Sequence, residues 1–305
     1  MKQVIILLST YNGEKYLKEQ LNSLFAQTYQ DIKIIARDDG SSDNTVDILK
    51  QYDIELIDSG CNLGAKKSFE VLLKYAINNT KADYFMFCDQ DDVWNKNKVE
   101  KSLMKIVGLE KQYSNMPILV HTDLTLVDEK LNLIHFSFWK YAHVFPYFNS
   151  FNRLLVQNCI TGCTMMINKN LAKLSLPIAD GAIMHDWWIG LVASKFGKIS
   201  SIEESTILYR QHNNNTIGAK GFDIATLISK IYKRELYIKN ITHTINQAKF
   251  FLEQYRDRLD KYTIDMLEEF IYIDSKTFWQ KREIIIKYKL FKQGFLRNIG
   301  MLSII

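Results

Sequence analysis

"YFMFCDQDDVW", residues 84–94, decides how the chain is read. Five apolar or aromatic residues run straight into Asp89, Asp91 and Asp92, at the end of what reads as a strand buried on both faces. Carboxylates packed this closely raise one another's pKa unless a cation relieves the repulsion. Oxygen-rich sites of this kind suit Mg²⁺ or Mn²⁺. Two plainer readings compete, a solvated turn and a calcium loop. The calcium loop fails: Asp89, Asp91 and Glu100 fit its outer positions, but Val93 and Trp94 stand where it needs an oxygen ligand and a glycine.

Working outward, "VIILL" (4–8), "IKIIAR" (32–37) and "IELID" (54–58) are short β-branched runs like the one at 84–88. Between them Tyr16, Leu17, Leu21, Leu24 and Phe25, then Val46, Ile48 and Leu49, then Phe69, Leu72, Leu73 and Ala76 recur at helical spacing. Strand alternating with helix predicts a parallel doubly wound sheet. Ligands of such sheets lie beyond the carboxyl ends of the strands, where the strand order reverses. "STYNGE", "DDGSSDNT", "SGCNLG" and "DQDDVW" follow the four strands, so the polar chemistry gathers on one rim.

After residue 117 the pattern loosens. "PILVHTDLTLVD", "LNLIHFSFW" and "CITGCTMMIN" read as mixed strands around a loop-like aromatic stretch at 139–150. "MHDWWIGLVASKF" (184–196) opens a helix, "ILYRQHNNN" reads as strand then turn, and from Phe222 a long charged helical periodicity sets in. The expected organisation is a catalytic unit over 1–220 and a helical C-terminal region over 221–305.

Several stretches carry chemistry. In "RDDGSSDNT" (37–45), Ser42 or Asp43 caps the following helix. The cap leaves Asp39 unexplained, and a carboxylate there suits a nucleobase N–H or ribose hydroxyls. "NLGAKKS" (62–68) lacks the glycine spacing of a phosphate loop; Lys66 and Lys67 face either a diphosphate or solvent. "MHDWW" sets Asp186 beside aromatic rings, which raise a carboxylate's pKa as a general base requires. The plainer alternative makes Asp186 a helix cap and the tryptophans core. "YRQHNNN" (209–215) adds Arg210 and His212 as phosphate or metal contacts.

The chain has 305 residues, 47% hydrophobic and 24% charged. Three prolines and thirteen glycines argue against linkers or low complexity. Val4–Leu8 is too short for a signal core, and no segment is apolar enough to span a bilayer. Four cysteines without CxxC spacing (61, 88, 159, 163) read as reduced thiols of a cytoplasmic protein. From Lys276 onward seven Lys or Arg face one acid, Glu283, a net +6 against +5 for the whole chain. The remainder is near neutral and has no basic stripe, which argues against nucleic acid. The tail interleaves those cations with Phe, Trp, Ile and Leu, as a membrane-surface helix does. Packing onto its own domain or onto another subunit is the rival reading.

In order and spacing, "STYNGEKYLKEQLNSLFAQTY", "DDGSSDNT", "NLG", "CDQDD", "TGC", "HDWW" and "YRQHNNN" resemble the family two glycosyltransferases over residues 3–215. Within that family the likeness is nearest to bacterial rhamnosyltransferase-like enzymes of surface-polysaccharide assembly. The resemblance implies the GT-A fold, a mostly parallel α/β sheet with the helical module appended. It also implies a nucleotide-diphosphate sugar donor, a divalent metal (Mg²⁺ or Mn²⁺) and inversion at the anomeric carbon.

Carried across by motif, Thr10, Asn12, Glu14, Asp39, Asn62 and Asp89 hold the donor nucleotide. Asp89, Asp91 and His212 hold the metal, and Asp186 is the catalytic base. Trp187, Trp188, Asp92, Gly162, His185 and Arg210 lie toward the sugar and acceptor. Ser9-Thr10 replaces a proline found in many members. The implied acceptor is a saccharide, lipid-linked at the cytoplasmic face of the membrane; oligomerisation stays open. A UDP-hexose donor, a nucleotidyltransferase and a non-catalytic sugar-nucleotide-binding subunit are the alternatives. The second lacks a glycine-rich Arg and Lys signature near the first strand, and intact Asp89, Asp91 and Asp186 weigh against the third.

Overall fold

The computed structural model describes residues 2–57, 61–212 and 234–305. Among them, nine strands form one sheet: β1 (Val4–Thr10), β2 (Ile32–Asp38), β3 (Glu55–Ile57), β4 (Tyr84–Cys88), β5 (Val93–Trp94), β6 (Ile118–Val127), β7 (Leu133–His135), β8 (Met166–Asn168) and β9 (Lys198–Arg210). Their order is β3-β2-β1-β4-β8-β6-β9-β5, with β7 on β6. The helices are α1 (Leu17–Phe25), α2 (Thr45–Leu49), α3 (Ala65–Asn79), α4 (Lys98–Gln112), α5 (Phe138–Ala142), α6 (Phe151–Leu154), α7 (Lys169–Ser175) and α8 (His185–Phe196). Four more follow: α9 (Arg234–Tyr255), α10 (Lys261–Ile271), α11 (Phe278–Lys287) and α12 (Phe295–Ile304).

The first four strands are parallel, as their periodicity requires, with Thr10 beside Asp38 and Leu8 beside Cys88. The order reverses at β1, between β2 and β4. Beyond β4 the sheet is mixed: β8 runs antiparallel to β4 and β6, β5 antiparallel to β9, and β6 parallel to β9. Side chains alternate along β1. Val4, Ile6 and Leu8 join one apolar cluster with α1 and α4, through Leu17, Leu21, Val99 and Ile106. Ile5 and Leu7 join another with α3 and α8, through Phe69, Leu72 and Trp188. Covered on both faces, each such side chain contributes roughly 1.5–3 kcal/mol to burial.

Three expected elements differ. In "LNLIHFSFW" only Leu133–His135 is strand, because Ser137 caps a helix by accepting from Lys140 N. In "CITGCTMMIN" a single 3-10 turn, Gly162–Thr164, precedes the three-residue strand β8. Strand β9 starts at Lys198, well before "ILYR", because β6 supplies a parallel partner to its polar first half. At α2 the cap position is Asn44, whose side chain makes no cap bond, and Asp43 Oδ1 instead accepts Thr45 N at 3.0 Å.

The C-terminal helices share the main core. Phe251, Tyr255, Leu267, Phe270, Ile284, Ile285 and Met301 lie in the same cluster as Ile5 and Leu7. The tail therefore packs on its own chain, yet Phe278, Trp279 and Phe295 are 57%, 77% and 79% exposed. The boundary expected at 220/221 falls outside the described residues. No helix among the described residues is long and apolar enough to cross a membrane.

Candidate active site

The loops after β1, β2, β3 and β4 open on one cleft of about 620 Å³. Thr10, Asp39, Asn62, Gly64, Asp89 and Asp91 line one side of it, and Gly162, His185, Asp186 and Trp187 another. The rest of the wall is largely apolar, including Leu124, Phe138, Val144, Ile160, Ile183 and Met184. Four aspartates (39, 89, 91 and 186) and no lysine or arginine appear among its described lining residues.

On the β1 and β2 side the polar groups fix the loops to one another. Thr10 Oγ1 donates to Asp38 Oδ1 at 2.9 Å. Asn12 takes a left-handed conformation (φ 47°), which asparagine tolerates, and its Oδ1 accepts Ser42 N at 2.9 Å. Glu14 Oε2 accepts Asn44 N at 3.0 Å. Neither Asn12 nor Glu14 lines the cleft. Their side chains brace the two loops. Asp39 does line it, although buried Arg37 pairs with one carboxylate oxygen. Leu63 N and Gly64 N donate to the two oxygens at 2.8 and 2.7 Å. With roughly four lone-pair sites on a carboxylate, one acceptor position remains. Asn62 is exposed at the cleft edge.

At the end of β4, Asp89 and Asp91 enter the cleft while Asp92 does not. Asp92 is fully buried; its Oδ1 accepts Arg210 N at 3.1 Å, and its Oδ2 has no partner. Asp92 is therefore not an acceptor contact, because protein encloses it. Burial, then the charges of Asp91 and Asp89, hold it well above the usual carboxylate range. Burial, then Asp91 and Asp186, likewise raises Asp89.

Arg210 is also reassigned. It is 2% exposed; its Nε donates to Asp91 O at 2.9 Å, its Nη2 pairs with Glu19, and its guanidinium lies 4.4 Å from the Tyr16 ring centroid. It secures the acidic loop from behind rather than meeting substrate. His212 Nε2 lies 2.7 Å from Asp91 Oδ2, so those two residues do come together; Asn213, Asn214 and Asn215 fall outside the described residues.

At the start of α8, Gly162 N donates to Asp186 Oδ2 at 3.0 Å and Trp187 N to Asp186 Oδ1 at 2.6 Å. Burial nevertheless pushes the Asp186 carboxyl up to about 6, these hydrogen bonds only partly offsetting it. Trp187 lines the cleft with Nε1 on Leu154 O. Trp188 does not: it is fully buried against Phe251 and Tyr255, with Nε1 donating to Ser175 O. For Trp188 the core alternative is correct, since its place in the first turn of α8 faces it away from the cleft. Lys66 Nζ donates to the carbonyls of Asp180 and Ala182, and Lys67 pairs with Glu70 and Asp180, so neither faces a diphosphate.

Gln90 was not among the expected residues. Its side chain accepts Tyr11 N at 2.7 Å and donates to Tyr11 O at 2.9 Å, joining the acidic loop to the β1 loop. A Cβ on Gly13 would lie 2.3 Å from Gln90 Oε1, so a side chain there would displace Gln90 from Tyr11.

Asp91 and His212 stand together and Asp89 lines the same cleft, a set of donor types that suits a divalent cation. Their donors are oxygen and imidazole nitrogen, and the repulsion that raises Asp89 is what a cation relieves. Among the described residues the group of three whose ligand atoms all lie within 4.8 Å of one another is instead Asp89, Asp92 and Cys163. That set contains a soft thiol and lies near buried Lys98, whose own pKa burial lowers to about 8. It suits Mg²⁺ less well.

The family model described as Glycosyl transferase family 2 matches residues 5–174. Among curated proteins, dTDP-rhamnosyl transferase RfbG of Shigella flexneri is 29% identical over 258 residues, which are 78% of this chain and 83% of that one. An uncharacterized glycosyltransferase of Haemophilus influenzae is 25% identical over 334 residues, 98% of each chain. Among solved structures, S. aureus TarS 1-349 in complex with UDP-GlcNAc gives a TM-score of 0.55 at 16% identity, over 94% of this chain and 80% of that one. At such identity the likeness shows the fold alone.

Proposed function

The chain belongs to glycosyl transferase family 2 and is a glycosyltransferase of GT-A fold, and from that premise we propose an inverting transfer from a nucleotide-diphosphate sugar to a saccharide acceptor. One observation carries the reading: four aspartates and no cationic side chain among the described residues lining the cleft. A diphosphate cannot rest against such a wall without a cation between.

In this reading Asp89, Asp91 and His212 hold Mg²⁺ or Mn²⁺. Bound there, the ion would supply positive charge that offsets the diphosphate and stabilises the negative charge growing on it as the glycosidic bond breaks. The protein's own residues do the rest. Thr10, Asp39 and Asn62 meet the nucleoside. Asp186, fixed by Gly162 N and Trp187 N, takes the proton from an acceptor hydroxyl attacking the anomeric carbon from the far side. Trp187 and the apolar wall receive the acceptor. A single base suffices, and no covalent sugar–enzyme intermediate forms.

dTDP-rhamnose heads the donors to test because the Shigella flexneri relative is named for it; a UDP-hexose is second because TarS is described with UDP-GlcNAc. A lipid-linked acceptor at the cytoplasmic face fits the exposed Phe278, Trp279, Phe295, Leu296 and Ile299 set among the tail's cations. The test is nucleoside-diphosphate release from dTDP-rhamnose, UDP-glucose, UDP-galactose and UDP-N-acetylglucosamine, with Mg²⁺ or Mn²⁺ and with EDTA. Metal-dependent release from one donor supports the reading. Release that EDTA leaves unchanged would remove the metal, and no binding of any nucleotide would remove the donor.

A further inference from the structure

Between α11 and α12 the chain runs along the segment that closes the cleft on its apolar side, and hydrogen bonds join the two. Gln293 is 4% exposed. Its Oε1 accepts Phe145 N at 2.5 Å and its Nε2 donates to Phe145 O at 3.2 Å. One amide thus satisfies both main-chain groups of a single loop residue, as a neighbouring strand would. The Gln293 N–H donates to Gln157 Oε1 at 2.7 Å. One turn later, Arg297 donates to Ala142 O at 2.6 Å and to His143 O at 2.7 Å. On the other side of Gln293, Arg153 Nη1 donates to Phe291 O at 3.0 Å, and Asn152 Nδ2 to Tyr288 O and Lys289 O at 3.1 and 2.9 Å.

These bonds hold part of the cleft. Val144 lines it and stands between His143 and Phe145, the residues that Arg297 and Gln293 grip. Gln157 precedes Asn158, which lines the cleft beside Asp186. Residues 143–150 form neither helix nor strand, so their path depends on bonds from outside. The grip comes from residues 288–297, beyond the 5–174 that the family model matches.

We propose that Gln293 and Arg297 are positioning residues for the acceptor: the strap 288–297 fixes the segment 142–148 and with it the apolar wall that receives the acceptor, so that acceptor selection is set from the tail of the chain. This rests on the transfer reading above. The donor side is tied by other bonds, among the loops after β1 to β4. None of those involves the strap, so the two sides of the cleft should answer to different substitutions.

Gln293→Met keeps the side-chain length and removes both bonds to Phe145. In the full chain, amides of 142–148 should exchange hydrogen about tenfold faster in this variant, with those of β4 and α8 unchanged. Calorimetry with UDP and dTDP in Mn²⁺ should give affinities within about twofold of the unaltered chain. Transfer to octyl glycosides of rhamnose, glucose, galactose and N-acetylglucosamine should show a glycoside KM raised about five- to tenfold, with kcat within about threefold. If no glycoside is used, nucleoside-diphosphate release to water takes its place and should rise about threefold as the loosened wall admits water.

Unchanged exchange over 142–148 would mean that the strap does not hold the segment. Faster exchange with an unchanged glycoside KM, or unchanged release to water, would take the segment out of the acceptor site. Equal losses of nucleotide affinity and of acceptor KM would make Gln293 merely structural. If Gln293→Met does not fold, Arg297→Met, which removes the bonds to Ala142 O and His143 O, makes the same comparison. An unaltered chain that binds neither UDP nor dTDP, or releases neither from any donor, overturns the transfer reading and this inference with it. The other failures, with binding and release intact in the unaltered chain, overturn this inference alone.

Discussion

The main-chain N–H of Gly162 donates to Asp186 Oδ2 at 3.0 Å, so the carboxylate at the head of α8 is aimed by a residue twenty-four positions earlier. The hydrogen bond orients Asp186 while burial raises its pKa. Orientation and basicity thus have separate physical sources.

Asp186→Asn keeps an oxygen for Gly162 N and removes the base. Transfer should fall by about 10²–10⁴-fold with donor affinity retained. Comparing transfer with calorimetric donor binding checks this; unchanged turnover would end the base assignment.

The pH profile follows from the direction of the shift. As the proposed base Asp186 would work deprotonated, and burial lifts its pKa to about 6 from the usual 3.8. The rate should be level above that value and fall roughly tenfold per unit below it. In kcat/KM against pH, an acid limb near 4 would mean that a less buried group is the base.

Arg210→Met removes the contacts to Asp91 O and Glu19 and the packing on Tyr16. Unfolding free energy should drop by about 2–3 kcal/mol, and half-saturation by Mn²⁺ should rise because the acidic loop loses its rear support. Denaturant melts and a metal titration read the two effects separately. A substrate-contact role would instead leave stability unchanged.

The tail separates into two classes of position. Ile285→Ala should cost about 2–5 kcal/mol by opening the core. Trp279→Ser with Phe295→Ser, at exposed sites, should leave the melt unmoved and reduce flotation with anionic liposomes. Flotation that does not change sends the exposed aromatics to some other partner.

The parallel half of the fold is legible because β1 to β4 are covered on both faces, and continuous apolar runs such as Val4–Leu8 have no other home. The later strands are harder. Strand β9 begins in "KISSIEEST", whose polarity conceals it until β6 is known to lie alongside. The acidic rim was readable because charge following a buried strand needs a reason. Which carboxylate faces the cleft was not: Asp91 and Asp92 are neighbours in sequence, and only backbone direction sends the second toward Arg210 N. Trp187 and Trp188 divide in the same way, one to the cleft and one to the core. Gln90 left no signal, since it acts on a loop far away in sequence, and neither did Arg37, which ties its neighbour Asp39 and Cys61 O.

The Gln90 bridge to Tyr11 makes two cleft-lining loops into one thermodynamic object. Whatever grips the β1 loop restricts the loop that carries Asp89 and Asp91, and the reverse holds equally. In the proposed reading, nucleotide and cation are therefore heterotropic partners. Each should tighten the other by the same factor, as linkage demands, and Gln90→Ala should bring that factor toward one.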